Sequence, residues 1–292
     1  MEELHQPVLL SEVLEVLQPR PGETYLDLTA GYAGHASKIL AATRTHKLST
    51  LVDRDENAIK YLREKFDGDE IRILHMDFCE AVLREIECGN MYDMILADFG
   101  VSSPQLDRPE RGFSFAEKGP LDMRMDARQD LTAERIVNKW REKDLVEIFV
   151  EYGEVSPRYA ARVAKTLVHG RPWCDTKTLA DAIAKLGRRG KTHPATQIFQ
   201  AIRVAVNDEL GQIERTLPHL PKLLKPGGRV ALITFHSLED RLVKNYFKEA
   251  SSYGVESELE VITKKPIVAE KSELFINPRA RSAKLRAARK RN

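Results

Sequence analysis

Asp98-Phe99-Gly100-Val101-Ser102-Ser103-Pro104-Gln105 puts a carboxylate, two hydroxyls and a carboxamide on one short stretch directly after the apolar run Met94-Ile95-Leu96-Ala97. Such a run has the length and composition of a buried parallel strand, so Asp98 falls where that strand ends. In open α/β sheets this carboxyl edge is where ligands sit. Asp98 is therefore the first candidate for holding a cofactor or a reacting amine, with Ser102 and Ser103 as candidate hydrogen-bond partners. The stretch continues to Arg111-Gly112-Phe113-Ser114-Phe115 and reads as an active-site loop.

A second constellation lies upstream. Leu26-Asp27-Leu28-Thr29-Ala30-Gly31-Tyr32-Ala33-Gly34-His35 sits where a strand turns into a helix, and small residues there let a ligand approach backbone amides. Asp53 ends the next strand, where a carboxylate can accept both hydroxyls of a ribose. Together they indicate a nucleoside-containing cofactor. A dinucleotide needs close pyrophosphate approach through G-x-G-x-x-G, whereas Tyr32 and Ala33 separate Gly31 from Gly34. The acid after the fourth strand also suits methyl transfer, so S-adenosylmethionine is favoured over a nicotinamide cofactor. His236, between Phe235 and Ser237 at another strand end, is a further pocket candidate or a structural histidine.

These residues need a frame. Thr24-Tyr25-Leu26, Leu48 to Val52, Ile71 to Leu74 and Met94 to Ala97 alternate with helical runs at His35 to Thr43 and Glu56 to Phe66, and each strand ends on or near an aspartate. The alternation predicts a parallel sheet with helices on both faces. A helix over Leu9 to Leu17 precedes it. Helical patterns then take over at Thr132 to Lys139, Asp144 to Tyr152, Pro157 to His169 and Thr176 to Leu186, and a long helix is expected from Pro194 to Glu214. Strand character returns at Val230 to Phe235 after Lys225-Pro226-Gly227-Gly228. A helix at Leu238 to Glu249 and strands at Leu259 to Thr263 and Ala283 to Ala287 follow. The expected division is a sheet domain over 1–106 and 201–292, interrupted by a helical domain over 107–200 that recognises substrate.

A hydrophobic content of 42% and charged content of 31% over 292 residues describe a globular protein. No apolar run approaches the roughly 20 residues of a membrane-spanning helix, and Met1-Glu2-Glu3 is unlike a signal peptide, so a cytoplasmic location is expected. Cys79, Cys88 and Cys174 have no C-x-x-C spacing, which supports neither a disulfide framework nor a metal site. The net charge of +2 conceals an asymmetry: Asn277 to Asn292 carries seven basic residues and no acid. That segment reads as contacting a polyanion or as a solvated tail. Lys185, Arg188, Arg189 and Lys191 add a second basic cluster. Phe113, Phe115 and Trp140 suit either base stacking or core packing.

Longer strings carry a family resemblance over nearly the whole chain. His5-Gln6-Pro7-Val8-Leu9-Leu10, the glycine loop ending in His35, Asp98 to Phe115, Gly119-Pro120-Leu121-Asp122-Met123-Arg124-Met125-Asp126, Tyr152-Gly153-Glu154, His193-Pro194-Ala195-Thr196, Phe199-Gln200-Ala201-Ile202-Arg203, Phe235-His236-Ser237-Leu238-Glu239-Asp240-Arg241 and Asn277-Pro278-Arg279-Ala280-Arg281-Ser282 resemble the bacterial small-subunit ribosomal RNA cytosine-N4 methyltransferases of the MraW or RsmH type. The resemblance implies a class I, Rossmann-like methyltransferase sheet with an inserted all-helical domain. It implies S-adenosylmethionine as methyl donor and a cytidine in the decoding region of 16S rRNA as acceptor, with 16S rRNA or the small ribosomal subunit as partner.

By the same resemblance the cofactor contacts fall on Ala33, Gly34, His35, Asp53, Phe78, Asp98 and Gln105, and no metal is implied. Two positions depart from the family pattern: Ala33 stands where glycine is usual, and Ala36 where serine is common. If Ala33 adopts a left-handed backbone, its methyl costs about 1 kcal/mol. Methylation at N4 needs no covalent nucleophile, so Cys79 and Cys174 are not expected to act. The rival readings are a DNA methyltransferase of the same fold, whose usual proline after the fourth-strand acid is replaced by Phe99-Gly100, and an RNA-binding assembly factor that has lost catalysis.

Overall fold

The computed structural model of the chain describes residues 7–187, 193–252 and 257–292. They form two compact units, Met1–Gly100 with Leu210–Asn292 and Val101–Glu209. His5 and Gln6, and Arg188, Arg189 and Lys191 of the mid-chain basic cluster, lie outside the described residues.

The first unit begins with α1 (Leu10–Leu17), β1 (Tyr25–Asp27), α2 (Gly34–Thr43), β2 (Thr50–Asp53), α3 (Glu56–Lys65), β3 (Arg72–His75), α4 (Phe78–Glu87) and β4 (Tyr92–Asp98). The sequence reading places no helix where α4 lies. Its signal is there nonetheless: Asp77 caps it by accepting the Glu80 N–H at 2.8 Å, and Phe78, Ala81 and Val82 form its buried face.

The second unit is helical, with α5 (Ser103–Asp107), α6 (Ala133–Lys139), α7 (Glu142–Glu151), α8 (Pro157–His169), α9 (Thr176–Ala184) and α10 (Thr196–Asn207). Ser156 and Asp175 cap α8 and α9 from their side chains. One core joins the helices, among them Leu145, Phe149, Val163, Leu167, Ile198 and Ile202. Phe113 is buried in that core, Trp140 packs on it, and the Phe115 ring lies 4.8 Å from that of Phe199, so these aromatics serve packing. Gly119 lies so close to the chain that a Cβ would stand 2.0 Å from the Pro109 carbonyl oxygen.

The long helix expected from Pro194 to Glu214 is two helices. Asp208 takes φ 47° and ends α10, and α11 (Glu209–Thr216) follows. The break is held by polar bonds: Asn207 accepts from the Met125 N–H and donates to the Met123 carbonyl, both at 2.8 Å, while Arg203 grips Glu209 through two bonds.

The first unit resumes at Leu210 within α11 and continues with α12 (Leu220–Leu223), β5 (Leu224–Thr234), α13 (Ser237–Ala250), β6 (Leu259–Val261), α14 (Lys271–Ile276) and β7 (Lys284–Lys290). Its strands make one sheet in the order β3-β2-β1-β4-β5-β7-β6. β1 to β5 pair in parallel, and β7 runs against both of its neighbours. Side chains alternate between faces along each strand. Tyr25, Leu51, Met94, Leu96 and Ile233 accordingly join the core under α1, α2 and α3, and Leu26, Val52, Ile95, Ala97 and Leu232 join the one under α4 and α13. Pairing between β4 and β5 jumps from Tyr92↔Leu224 to Met94↔Arg229, which extrudes Lys225-Pro226-Gly227-Gly228 as the expected turn.

The basic terminal segment is not a solvated tail. Four of its seven basic residues lie on β7, an internal strand, and Arg286 is buried. Lys290 Nζ donates to the carbonyls of Pro221 and Leu224 at 2.8 and 2.9 Å, so part of the charge serves the fold. No helix among the described residues is long and apolar enough to cross a membrane.

Candidate active site

Parallel pairing aligns the carboxyl ends of β1, β2, β4 and β5, and each delivers a polar side chain or loop to one edge. At β1, Asp27 is buried, with Oδ2 accepting the Tyr25 hydroxyl at 2.6 Å and Oδ1 the Thr29 N–H at 3.1 Å. At β2, Asp53 Oδ2 accepts the Gly31 N–H at 2.8 Å and Oδ1 the Asp55 N–H at 2.7 Å. Asp53 thereby ties the glycine loop to the end of its strand. Both of its oxygens keep a second lone pair for a ribose hydroxyl.

The loop then enters α2 through Ala33, which adopts φ 61° and ψ 28°. This is the left-handed conformation in which glycine is at ease and alanine strained. Ala33 is fully buried, and its carbonyl accepts both the N–H and the hydroxyl of Ser37, at 2.9 and 2.6 Å. Gly34 packs closely: a Cβ there would stand 3.1 Å from Pro7 Cβ, so Pro7 would have to give way by a few tenths of an ångström. The buried His35 ring is bonded at Nε2 to the Val8 carbonyl, 2.9 Å away, and its Nδ1 stands 4.0 Å from Asp98 Oδ2.

Asp98 closes β4. Its N–H donates to Thr29 Oγ1 at 2.6 Å, and Phe99 continues the ladder by donating to the Ile233 carbonyl at 2.9 Å. The side chain keeps 17% of its surface exposed, yet Oδ1 is buried with no hydrogen-bond partner. At the end of β5, Glu239 of α13 is fully buried, and its Oε2 accepts the N–H groups of Phe235 and His236 at 2.7 and 3.2 Å. The His236 ring lies beside it, with Nε2 3.1 Å from Glu239 Oε1. Phe78 opens α4 after β3 and packs its ring 5.4 Å from that of Phe99.

This edge is electrostatically unbalanced. Burial pushes the Asp98 carboxyl well above the usual range, and the charges of Asp27 and Glu239 push it further. Asp27 rises to about 7 through burial, against the hydrogen bonds from Tyr25 and Thr29. Asp53 is also raised by burial, against the bonds from Asp55 and Gly31. Crowded carboxylates of this kind favour a positively charged guest, and a sulfonium bearing an ammonium group supplies that charge.

Ala33, Gly34, His35, Asp53, Phe78, Asp98 and His236 thus belong to the first unit. Ser102, Ser103 and Gln105 belong to the second. There the Ser102 N–H donates to Gln105 Oε1 at 3.0 Å, so the buried carboxamide helps to cap α5, whose first residue is Ser103. Asp27, Thr29 and Glu239 escaped the sequence reading as site residues. Asp27 carried a signal, since it ends a strand as Asp53 and Asp98 do. Glu239 carried none, because only the fold turns α13 back onto β4.

Strand order, the reversed β7 and the acid-lined edge after a glycine loop define the class: this is a class I S-adenosylmethionine-dependent methyltransferase. Comparison with known proteins narrows it. The MraW methylase family model matches residues 2–291, and the chain belongs to that family. It is similar to the ribosomal RNA small subunit methyltransferase H of Synechocystis sp., with 46% identity covering 98% of this chain and 93% of that one. The same-named protein of Halothermothrix orenii is 42% identical, with 97% of each chain covered. Among solved structures, an rRNA methylase from Streptococcus thermophilus aligns with a TM-score of 0.43 and 8% identity, covering 97% of this chain and 94% of that one.

Proposed function

We propose that the protein methylates N4 of a cytidine in the decoding region of 16S rRNA, as free RNA or within the small ribosomal subunit, in the cytoplasm. The observation that carries this reading is Asp98 Oδ1, a buried acceptor with no partner at the end of β4. An exocyclic amine is the donor such an acceptor lacks. S-adenosylmethionine supplies the electrophilic methyl group. Asp53 would accept the ribose hydroxyls, the amides around Ala33, Gly34 and His35 would line the cofactor, and Phe78 would supply an apolar wall. The family resemblance assigns Gln105 to the cofactor and leaves Ser102 and Ser103 as candidate hydrogen-bond partners, and the helical unit is assigned to substrate recognition.

The N4 lone pair of cytosine is delocalised into the ring, so orientation governs the rate. Holding the amine in line is worth on the order of 7–11 kcal/mol in favourable cases. Asp98 does this by accepting one N4–H at Oδ1. Once alkylated the nitrogen is acidic and needs no strong base. A carboxylate whose proton affinity burial has raised is a competent acceptor for that proton. His35 is spent on Val8 and is assigned no proton transfer, while His236 is assigned to steady Glu239 behind Asp98.

Incubating the protein with unmodified small subunits and labelled S-adenosylmethionine, followed by mass mapping of the 16S rRNA, tests the reading. One N4-methylcytidine in the decoding region is expected. A mark at another atom or nucleotide, or no cofactor binding by calorimetry, overturns it.

A further inference from the structure

Among the described residues of the first unit, which also exposes Leu48, Leu83 and Met91, the two most exposed large apolar side chains are neighbours. Phe275 is 91% exposed and Ile276 66%, side by side at the end of α14, with Val268 at 55% on the preceding loop. Neither α14 residue is on a floppy end. Leu274 packs into the core below, and Glu273 Oε1 accepts the Leu9 N–H at 2.8 Å. Leu9 follows Val8, whose carbonyl is bonded to His35, and His35 stands 4.0 Å from Asp98. The exposed phenyl ring is thus fixed, through a short chain of contacts within one unit, to the edge that holds the candidate reacting group.

Its surroundings are basic. Between residues 264 and 281 the exposed cations are Lys264, Lys265, Lys271, Arg279 and Arg281, against Glu270 and the committed Glu273. An exposed aromatic among arginines and lysines suits unpaired nucleotides, whose bases stack on the ring while their phosphates meet the cations. A purely apolar partner would gain nothing from this concentration of positive charge.

We propose that Phe275, flanked by Arg279 and Arg281, is a stacking platform for an unpaired RNA base close to the target nucleotide. This rests on the reading that the substrate is RNA. The platform holds the strand beside the target while the target base is drawn out of its own stack towards Asp98.

The test uses the full chain, two readouts and three substitutions. Methyl transfer to small ribosomal subunits gives KM and kcat, and anisotropy gives the affinity for a fluorescein-labelled single-stranded RNA oligonucleotide without requiring catalysis. Phe275→Ala is expected to raise KM and to weaken oligonucleotide binding about five-fold or more. The kcat at saturation and S-adenosylmethionine affinity stay as in wild type. Phe275→Trp restores both, and Phe275→Leu does not. Wild-type values in Phe275→Ala overturn the platform, as does full rescue by Phe275→Leu, which would mark an apolar protein contact. Dissociation of a wild-type dimer by Phe275→Ala in sedimentation would assign the patch to self-association and also overturn it. If the wild type methylates no subunit but binds the oligonucleotide in a Phe275-dependent way, the platform stands and the assigned substrate fails.

Discussion

Arg286 on β7 donates through Nε to Asp240 Oδ1 on α13 at 2.7 Å, with both residues buried. Lys284 Nζ reaches the other oxygen, Oδ2, at 3.0 Å. Two cations from a segment rich in positive charge are therefore consumed in fastening the reversed strand to a helix. The charge pattern that suggests a polyanion partner is in part an internal structural device.

That fastening is open to measurement. Burial alone would raise the Asp240 carboxyl, but Arg286 and Lys284 hold it below the usual range. Removing the acid strands a buried guanidinium, so Asp240→Ala is expected to lower unfolding free energy by about 3 kcal/mol in urea. A depressed folded pKa contributes stability above the unfolded value, near 4, and loses it as pH falls through the folded value. The gap between wild type and variant should therefore narrow below pH 4. A pH-independent gap would show that packing, not the ion pair, sets the loss.

Ala33 gives a second prediction because two effects of similar size oppose each other. Its left-handed backbone costs about 1 kcal/mol. Ala33→Gly removes that strain but loses a buried methyl worth about 0.8 kcal/mol and frees the unfolded chain by roughly 0.4–1 kcal/mol. The substitution should leave the urea stability within about 1 kcal/mol of wild type. Ala33→Val keeps the strain and adds a branched carbon, so it should destabilise clearly. A gain above about 2 kcal/mol for the glycine variant would mean that the methyl packs against nothing useful.

The fold was legible wherever hydrophobic spacing and chain order coincide. Each core strand from β1 to β5 is an apolar run with an acid or a turn beside it, and parallel order follows from the helices between them. Less legible were features set by contacts distant in sequence. Asn207 breaks one long helical pattern by reaching Met123 and Met125, and β7 inserts between β5 and β6 despite a composition resembling a solvated tail. In the site, Asp53 and Asp98 could be read directly as strand-end acids, while Glu239 and the Pro7 contact of Gly34 required the tertiary fold. The strain at Ala33 could be stated only as a condition, since sequence does not report a dihedral angle.

Asp27 makes stability depend on pH in the opposite sense from Asp240. Its folded pKa of about 7 lies above the unfolded value near 4, so the folded state binds the extra proton. That contribution is fully present below pH 4 and is lost as pH rises through 7, with a slope of up to about 1.4 kcal/mol per pH unit between them. Asp27→Asn removes the titration and retains an acceptor for the Thr29 N–H. Thermal unfolding of the variant should therefore depend less on pH between 5 and 8 than that of wild type. Parallel curves would show that Asp27 stays ionised throughout.

Asp98 and Glu239 join electrostatics to catalysis. Asp98 must be ionised to accept the amine proton, and Glu239 opposes that ionisation from α13. The rate of methyl transfer, followed with saturating cofactor, should therefore rise with pH along an acid limb. Glu239→Gln keeps an oxygen for the Phe235 and His236 N–H groups but removes the charge, so Asp98 ionises more readily and the limb moves to lower pH. Asp98→Asn retains the size but presents either a weaker acceptor or a donor to the amine. A loss of about 100-fold or more in kcat is expected, as when a positioned acid–base group is removed. If Asp98→Asn keeps full activity, Asp98 is not the acceptor. If it is inactive but Glu239→Gln leaves the acid limb unmoved, the limb belongs to another group and the two carboxylates are not coupled in the working enzyme.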